Sequence, residues 1–248
     1  MAIGVTIRAR EGLKKMLYIL RECEERLGYE FEEKELLKRA LTHPSYAAEQ
    51  RPPILHNQRL EFFGDAVLQI VVTELLFYAH PNLQEGVLSK LRSALTNEDA
   101  LVELAKDIRL GEYLFLGKGE EQSGGRERKS NLADAMEAVL GAMYLDGGPG
   151  AAHAFLKHHI GHVIHKPQAL LKTENPKGAL QEFTQQLYQE APFYDVVNVT
   201  GPEHAPEFEV TVSIGGEVVA RATANSRKQA EKDAALKALS ELTEHGDK

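Results

Sequence analysis

Apolar residues recur at intervals of three and four positions between residues 11 and 165, which is the period of a helix with one buried face. The pattern therefore predicts an all-α N-terminal domain over residues 11–165. Its clearest apolar stripe consists of Leu60, Phe63, Val67, Val71 and Leu75. Glycine and proline mark the predicted loops, at Pro44 and at residues 51–53, 80–82, 123–125 and 147–150.

A different pattern follows Pro167 and Pro176, which bracket a predicted interdomain linker at residues 166–173. Beyond the linker, apolar and polar residues alternate, as they do in strands with one buried face. Gly215-Gly216 is a typical two-residue hairpin connection between two such strands. The strands are predicted at residues 194–199, 207–214 and 217–224.

Helical patterns flank these strands on both sides. The first predicted helix covers residues 178–190, and the last begins after Ser226, a residue type that caps helices. The chain is therefore predicted to end in a small α+β domain with the order α-β-β-β-α, over residues 174–245. The last helix should pack on the sheet through Ala230, Ala234, Leu236, Ala238, Leu239 and Leu242.

The overall charge and the cysteine content restrict the class of protein. The formal net charge of −8 argues against binding nucleic acid through a generally basic surface, so any such binding requires local basic clusters. One cysteine, Cys23, excludes an intramolecular disulfide and fits a reducing compartment. With no signal-peptide pattern and no run of about 18 apolar residues, we expect a cytoplasmic protein with no membrane partner.

Two pairs of acidic residues carry the candidate chemistry. Glu61 and Asp65 are four positions apart, and Asp134 and Glu137 are three apart, so each pair shares one helix face. The neighbouring residues are small or apolar, and a carboxylate emerging from such a surface needs compensation. Mg²⁺ supplies it well, because it takes oxygen ligands. From spacing alone, an alternative stays open in which these acids are solvated or paired with the cations Arg59, Lys90 and Arg92.

The segment from Gln58 to Leu68, QRLEFFGDAVL, resembles the signature of the ribonuclease III family. The resemblance continues through residues 41–45 (LTHPS), 85–92 (EGVLSKLR), 116–120 (LGKGE) and 133–148. It implies a homodimeric, Mg²⁺-dependent endonuclease for double-stranded RNA, in which Mn²⁺ is an alternative ion. The implied products carry 5′-phosphate and 3′-hydroxyl ends with two-nucleotide 3′ overhangs, and the implied substrates are ribosomal RNA precursors and structured messenger RNAs.

The same resemblance assigns individual roles. The four acids would be the metal ligands, with Asp65 and Glu137 at the centre of catalysis. Two positions depart from the family pattern, because Gln58 replaces a common glutamate and Met136 replaces a common phenylalanine. The remaining assignments are Glu85 and Gln58 as supporting residues of the catalytic valley, and Phe62 as a dimer contact.

The C-terminal region resembles the double-stranded RNA-binding domain, through residues 175–182 (NPKGALQE) and 226–231 (SRKQAE). Arg227 and Lys228 begin the last helix, whose free amides and dipole also attract phosphate. Residues 174–248 nevertheless contain seven Lys or Arg against thirteen Asp or Glu, a net charge of −6. We therefore expect modest, salt-sensitive binding. The predicted RNA contacts are Gln181, Glu182, His204, Arg227, Lys228 and Lys232.

Two other functions remain under consideration. One is a double-stranded RNA-binding protein that has lost cleavage, against which the retention of all four acids argues. The other is a metal phosphohydrolase for small molecules, with the C-terminal domain serving assembly. A histidine-rich helical segment at residues 153–165 could in principle bind a transition metal, but no carboxylate or thiol set accompanies it in sequence, so we interpret it as a surface feature.

Overall fold

The computed structural model describes residues 2–166, 175–202 and 205–245. The chain divides into two compact units, Met1–His165 and Lys166–Lys248. All but the first residue of the predicted linker at 166–173 lie outside the described residues, so its boundaries stay a prediction.

The first unit is helical, as its sequence period predicts. Its first helix begins at Ala2, ahead of the predicted start of the domain at residue 11. The helices are α1 (Ala2–Leu27), α2 (Lys34–Ala40), α3 (Pro44–Glu49), α4 (Gln58–Ala79), α5 (Glu85–Thr96), α6 (Glu98–Asp107), α7 (Lys118–Gln122) and α8 (Lys129–Ile164), with a 3-10 turn at Leu110–Tyr113.

Helices α4 and α8 form the centre of this unit and approach each other unusually closely. A methyl group added to Gly64 of α4 would overlap the backbone carbonyl of Glu137 in α8. A methyl group added to Gly141 of α8 would lie 2.5 Å from the carbonyl oxygen of Leu60. Only glycine permits backbones to pack this closely, so these two residues determine where the two helices cross.

The predicted loop at residues 147–150 is instead a kink within α8. Gly148 has φ 74° and ψ −173°, and Pro149 follows it at the start of the resumed helix. A positive φ favours glycine, and proline lacks the amide that an uninterrupted helix would use. Just before the kink, the Asp146 carboxylate accepts hydrogen bonds from the Tyr29 hydroxyl at 2.7 Å and the Glu33 amide at 2.8 Å. The kink region is thus attached to the segment that leads into α2.

By length and composition, α4 could cross a membrane. Its apolar residues also form the core of this unit, since Leu60, Val67, Leu68, Val71, Val72 and Leu76 are buried. Of the predicted stripe, Phe63 and Leu75 are half-buried and the other three residues are buried, so the stripe does face the core.

Cys23 lies on α1 and is buried, with 1% of its surface exposed. Burial raises the pKa of its thiol to about 12. Cys23 is thus part of the packing of the first unit.

The second unit has the predicted order of one helix, three antiparallel strands and one helix. Its elements are α9 (Pro176–Leu187), β1 (Phe193–Thr200), β2 (Glu207–Ile214), β3 (Glu217–Ala224) and α10 (Arg227–His245). The sheet order is β1-β2-β3, and Val212 of β2 pairs with Tyr194 and Ala220 on its two sides. Val212 and Ile214 of β2 are buried in one core with Leu180 of α9 and Ala234 and Ala238 of α10.

Turn and capping residues determine where several of these elements begin and end. Strands β2 and β3 have the predicted limits, because Gly215 and Gly216 both adopt the positive φ of a tight hairpin. Helix α9 starts two residues earlier than predicted, at Pro176, where the Asn175 side chain accepts a hydrogen bond from the Gly178 amide. The predicted packing of Leu236 on the sheet is wrong: it is exposed, because it lies two positions from Ala234 and Ala238 and so faces away from them.

Replacing Gly64 with alanine should destabilise the first unit by about 3 kcal/mol, because neither backbone at the crossing has room for the methyl group. Gly161→Ala, in α8, is a matched control, since nothing lies within 4 Å of its added methyl group. That change should be neutral or stabilising by up to about 1 kcal/mol. Chemical denaturation of both variants measures the difference, and equal stabilities would contradict the close crossing.

Candidate active site and nucleic-acid interface

The crossing of α4 and α8 brings the two acidic pairs together. Gly64, which the backbone of Glu137 contacts, lies between Glu61 and Asp65 in α4. Asp134 precedes Glu137 by one helical turn and so lies on the same side of α8. Three of the four side chains are half-buried, and Asp65 is exposed. The structure therefore places the acids of both helices at one point on the surface of the first unit.

The electrostatics of the four acids show that they share one environment. Burial, together with the negative charges of Asp65, Glu61 and Asp134, raises the pKa of Glu137 to about 7. Burial and the charge of Asp134 likewise raise the pKa of Glu61. Within the described ranges, none of the four acids forms an ion pair with a cationic side chain, which leaves the alternative pairing without support. No ion pair among the described residues therefore compensates the negative charge of this cluster.

The donor chemistry of this cluster fits a hard divalent cation. All four groups are carboxylates, and Mg²⁺ binds through one or two carboxylates together with waters and substrate phosphates. Among the residues that the structure describes, no three His, Cys, Asp or Glu side chains are arranged to hold a metal ion by themselves. The histidines near the end of α8 also form no such group. An ion at the acidic cluster would therefore need water or substrate to complete its coordination.

His43 is a neighbour of this cluster to which sequence reasoning gave no role. Its ring Nδ1 accepts a hydrogen bond from the Ser45 amide at 3.2 Å and lies 2.7 Å from the Ser45 hydroxyl. The imidazole is close enough to Asp134 that its positive charge acts to lower the pKa of that carboxyl, although burial has the larger effect and raises it. The sequence signal was the run LTHPS, in which His43 also caps α3.

A second network attaches the loop before α8 to the start of that helix. The Glu120 carboxylate accepts hydrogen bonds from Asn131 at 2.8 Å and pairs with Arg128 at 2.6 Å. Asn131 also donates to the Gly125 carbonyl at 2.9 Å. Since Asn131 is three residues before Asp134, this network fixes the turn of α8 that carries the acid.

The remaining nuclease residues lie elsewhere on the first unit. Glu85 is exposed on α5, accepts a hydrogen bond from Ser89 at 2.8 Å, and lines a shallow pocket with Phe77 and Arg92. It is not among the charges that raise the pKa of Glu137. Within one chain, the structure therefore does not bring Glu85 to the four acids. Gln58 is exposed beside Phe62, and both line a groove with Arg39 and Leu145.

In the second unit, five of the six predicted RNA contacts lie on its two helices. Arg227 and Lys228 are exposed at the start of α10, and Lys232 is half-buried one turn later. Gln181 and Glu182 are exposed on α9. His204 lies outside the described residues. Sequence reasoning missed Lys177, whose ammonium group pairs with Glu231 and lies 4.4 Å from the centre of the Tyr194 ring.

Comparison with known proteins separates the two units in the same way. A family model described as ribonuclease-III-like matches residues 33–164, which is more than half of the chain. A model of the double-stranded RNA binding motif matches residues 176–242. The chain belongs to the ribonuclease III family.

Curated ribonuclease III proteins align over most of this chain. Ribonuclease 3 of Leifsonia xyli is 48% identical over 221 residues, which is 89% of this chain and 92% of the relative. That of Nitratidesulfovibrio vulgaris is 44% identical over 223 residues, covering 89% of this chain and 87% of the relative. The crystallised nuclease domain of ribonuclease III from Campylobacter jejuni is 41% identical, with a TM-score of 0.52, and covers 59% of this chain and 93% of that domain.

Membership of the ribonuclease III family confirms two predictions from the sequence. The fold is a helical nuclease domain followed by an α-β-β-β-α double-stranded RNA-binding domain. The activity is that of an endoribonuclease for double-stranded RNA, and the comparisons do not favour the non-cleaving alternative.

The shifted pKa of Glu137 leads to a pH-dependent stability. The folded protein retains this proton up to about pH 7, whereas the unfolded chain releases it near the ordinary value of 4.5. The free energy of unfolding should therefore fall as pH rises from 4.5 to 7 and stay lower above that range. In EDTA, Glu137→Gln should gain stability relative to the unsubstituted protein, by on the order of 1 kcal/mol at pH 8 after allowing for solvent screening.

Thermal unfolding at pH 4 and pH 8 measures this gain. Glu103→Gln is a suitable control, because Glu103 is exposed on α6 and is paired with Lys106. A constant difference between Glu137→Gln and the unsubstituted protein across this pH range would contradict the assigned environment of Glu137.

Proposed function

We propose that this ribonuclease hydrolyses duplex RNA at the carboxylate cluster of Glu61, Asp65, Asp134 and Glu137, with Mg²⁺ as its ion and Mn²⁺ as a substitute. The observation that carries the proposal is the glycine crossing, which concentrates four acids that form no ion pair with any described cationic side chain. An RNA phosphate approaching these carboxylates is repelled unless a cation lies between them. Binding of the ion and binding of the scissile phosphate should therefore reinforce each other.

We assign the four acids different roles according to their exposure and position. Asp65, which is exposed, and Glu137, whose backbone lies at the crossing, are the proposed catalytic pair, and Glu61 and Asp134 complete the ligand set. Bound Mg²⁺ would supply an activated water and stabilise the leaving 3′-oxygen. The carboxylates hold the ion, and the half-buried position of Glu137 limits the water around it. The expected ends are a 5′-phosphate and a 3′-hydroxyl, with two-nucleotide 3′ overhangs.

We further propose a homodimer formed through α4. Phe62 is 83% exposed, and Ile70 and Phe77 follow it on the same side of the helix. Exposed apolar groups of this size favour contact with another protein surface. One solved Campylobacter jejuni structure concerns flexibility in a region involved in dimer formation of its nuclease domain. In such a dimer, Glu85 and Gln58 of one subunit could support the cluster of the other, and each cluster would cut one strand.

The second domain, residues 174–245 after the linker at 166–173, is proposed to bind the same RNA duplex that the nuclease domain of residues 11–165 cuts. Its recognition should depend on RNA shape and phosphates rather than on base sequence. Ribosomal RNA precursors and structured messenger RNAs present such duplexes, and both are made in the cytoplasm, where we place the enzyme. The proposed contacts are Gln181, Glu182, His204, Arg227, Lys228 and Lys232.

Glu137→Ala should abolish cleavage of a long RNA duplex in Mg²⁺, by at least about 100-fold, while leaving duplex binding in EDTA nearly unchanged. The substitution removes a metal ligand and no phosphate contact. Gel analysis of products and a binding titration measure the two effects. Glu103→Ala, on the same domain, should retain both. Loss of binding together with cleavage would contradict the separation of the two tasks, and cleavage in EDTA would contradict the role of the ion.

Phe62→Ala should shift the protein from dimer to monomer. It should therefore also reduce the fraction of duplexes in which both strands are cut. Removing a large exposed aromatic group reduces the apolar area that a partner buries. Sedimentation velocity at several protein concentrations measures the association. Phe193→Ala, an exposed phenylalanine on the RNA-binding domain, is the control and should leave it unchanged. A Phe62→Ala protein that remains fully dimeric would refute this contact.

A further inference from the structure

Glu231 of α10 holds two basic residues of the RNA-binding domain at once. One carboxylate oxygen, Oε2, accepts a hydrogen bond from the Lys177 ammonium group of α9. The other, Oε1, accepts from Nε of Arg227 at 2.8 Å. These two contacts hold the pKa of Glu231 below its ordinary value, so the residue is a carboxylate at neutral pH. It lies one helical turn after Arg227, on the same face.

The two pairs differ in how tightly they are built into the domain. The Lys177 and Glu231 side chains are 39% and 12% exposed, and Lys177 also lies over the Tyr194 ring of β1. This pair therefore joins α9, α10 and the sheet. The Arg227 side chain is 64% exposed, and an exposed pair of this kind contributes little to stability. Arg227 can exchange its carboxylate partner for another anion at small cost.

The position of Arg227 makes that exchange relevant to RNA. It is the first residue of the 19-residue helix α10, where free amides and the helix dipole favour a phosphate. A phosphate arriving there meets a guanidinium group that is already paired and a carboxylate one turn away. Among the described residues, Lys228 and Lys232 of the first turns of α10 form no such pair, so both remain available for the first encounter.

We infer that Glu231 limits the affinity of the domain for duplex RNA, by withholding Arg227 from phosphate while it connects α9 to α10 through Lys177. This inference rests on the proposed RNA contacts at the start of α10. When a duplex binds, Arg227 transfers from the carboxylate to a phosphate, and the charge of Glu231 remains nearby as a repulsive contribution. The acidic residue thus determines how weakly and how reversibly the domain holds its substrate.

Glu231→Gln tests this inference in the full-length protein. Glutamine keeps an oxygen acceptor for Lys177 but removes the charge. In EDTA, with an RNA duplex of about 20 base pairs, the variant should bind about three- to tenfold more tightly, and the plot of log K against log salt should steepen by about one. Glu209→Gln is the matched control, because this substitution removes the same charge from a different surface. Glu209 pairs with Arg221 on the face of the sheet opposite the helices.

Three further results separate the possible explanations. The gain from Glu231→Gln should shrink when Arg227 is also glutamine, and an equal gain in both backgrounds would refute the withholding of Arg227. If Arg227→Gln weakens binding, the proposed RNA contacts hold. In that case, unchanged affinity in Glu231→Gln, or an equal gain in Glu209→Gln, would overturn this inference alone. If Arg227→Gln and Lys228→Gln both leave affinity unchanged, the proposed RNA contacts fail as well. Circular dichroism melts of each variant verify that α9 and α10 remain folded.

Discussion

The contact between the backbones of α4 and α8 is the constraint on which the nuclease domain depends. At Gly64 and Gly141 there is no side chain to separate the helices, so main-chain atoms of one lie against main-chain atoms of the other. Two consequences arise from the same contact. It forms the centre of the apolar core, and it brings acidic residues that are 69 to 76 positions apart in the chain to one place. Stability and chemistry therefore rely on the same pair of glycines.

That arrangement creates a charge imbalance that the folded chain leaves unresolved. A half-buried carboxylate beside three others is unfavourable in its charged form, and both the burial and the neighbouring charges raise the pKa of Glu137. The network of Glu120, Arg128 and Asn131 contains its own cation, whereas the four acids form no ion pair with a cation in the part of the chain that the structure describes. The RNA-binding domain shows the opposite solution, because there Glu231 sits between two cations and its pKa is lowered. The two domains thus use carboxylates in contrasting electrostatic settings.

The sequence predicted those features that depend on local periodicity. Alternation of apolar residues located β2 and β3, and the three- and four-residue spacings put each acidic pair on one face. Long-range geometry was less accessible. The meeting of the pairs depends on a helix crossing that no local pattern describes. The proximity of His43 to Asp134 depends on how the LTHPS segment returns to α8. Residues 147–150 contain loop-forming residue types, yet neighbouring helical turns on both sides absorb them as a kink.

Leu236 and Glu85 illustrate a second kind of limit. Leu236 has the residue type of a core position, but the helix turns it away from the alanines that contact the sheet. Glu85 matches the family pattern, but its surroundings in a single chain are Ser89, Phe77 and Arg92 rather than the four acids. In both cases the sequence identifies the residue but not its neighbours within one chain, because neighbours depend on the three-dimensional packing of whole elements. The role of Glu85 stays a prediction.

The burial of Cys23 gives the nuclease domain a built-in reporter of its own opening. It is the single thiol in the chain, and its high pKa and shielded position keep the reactive thiolate form almost unpopulated in the folded state. A thiol reagent can therefore modify it only when α1 separates from the rest of the core. The rate of that modification would report how often the nuclease domain opens. The RNA-binding domain would not contribute to it, because that domain contains no cysteine.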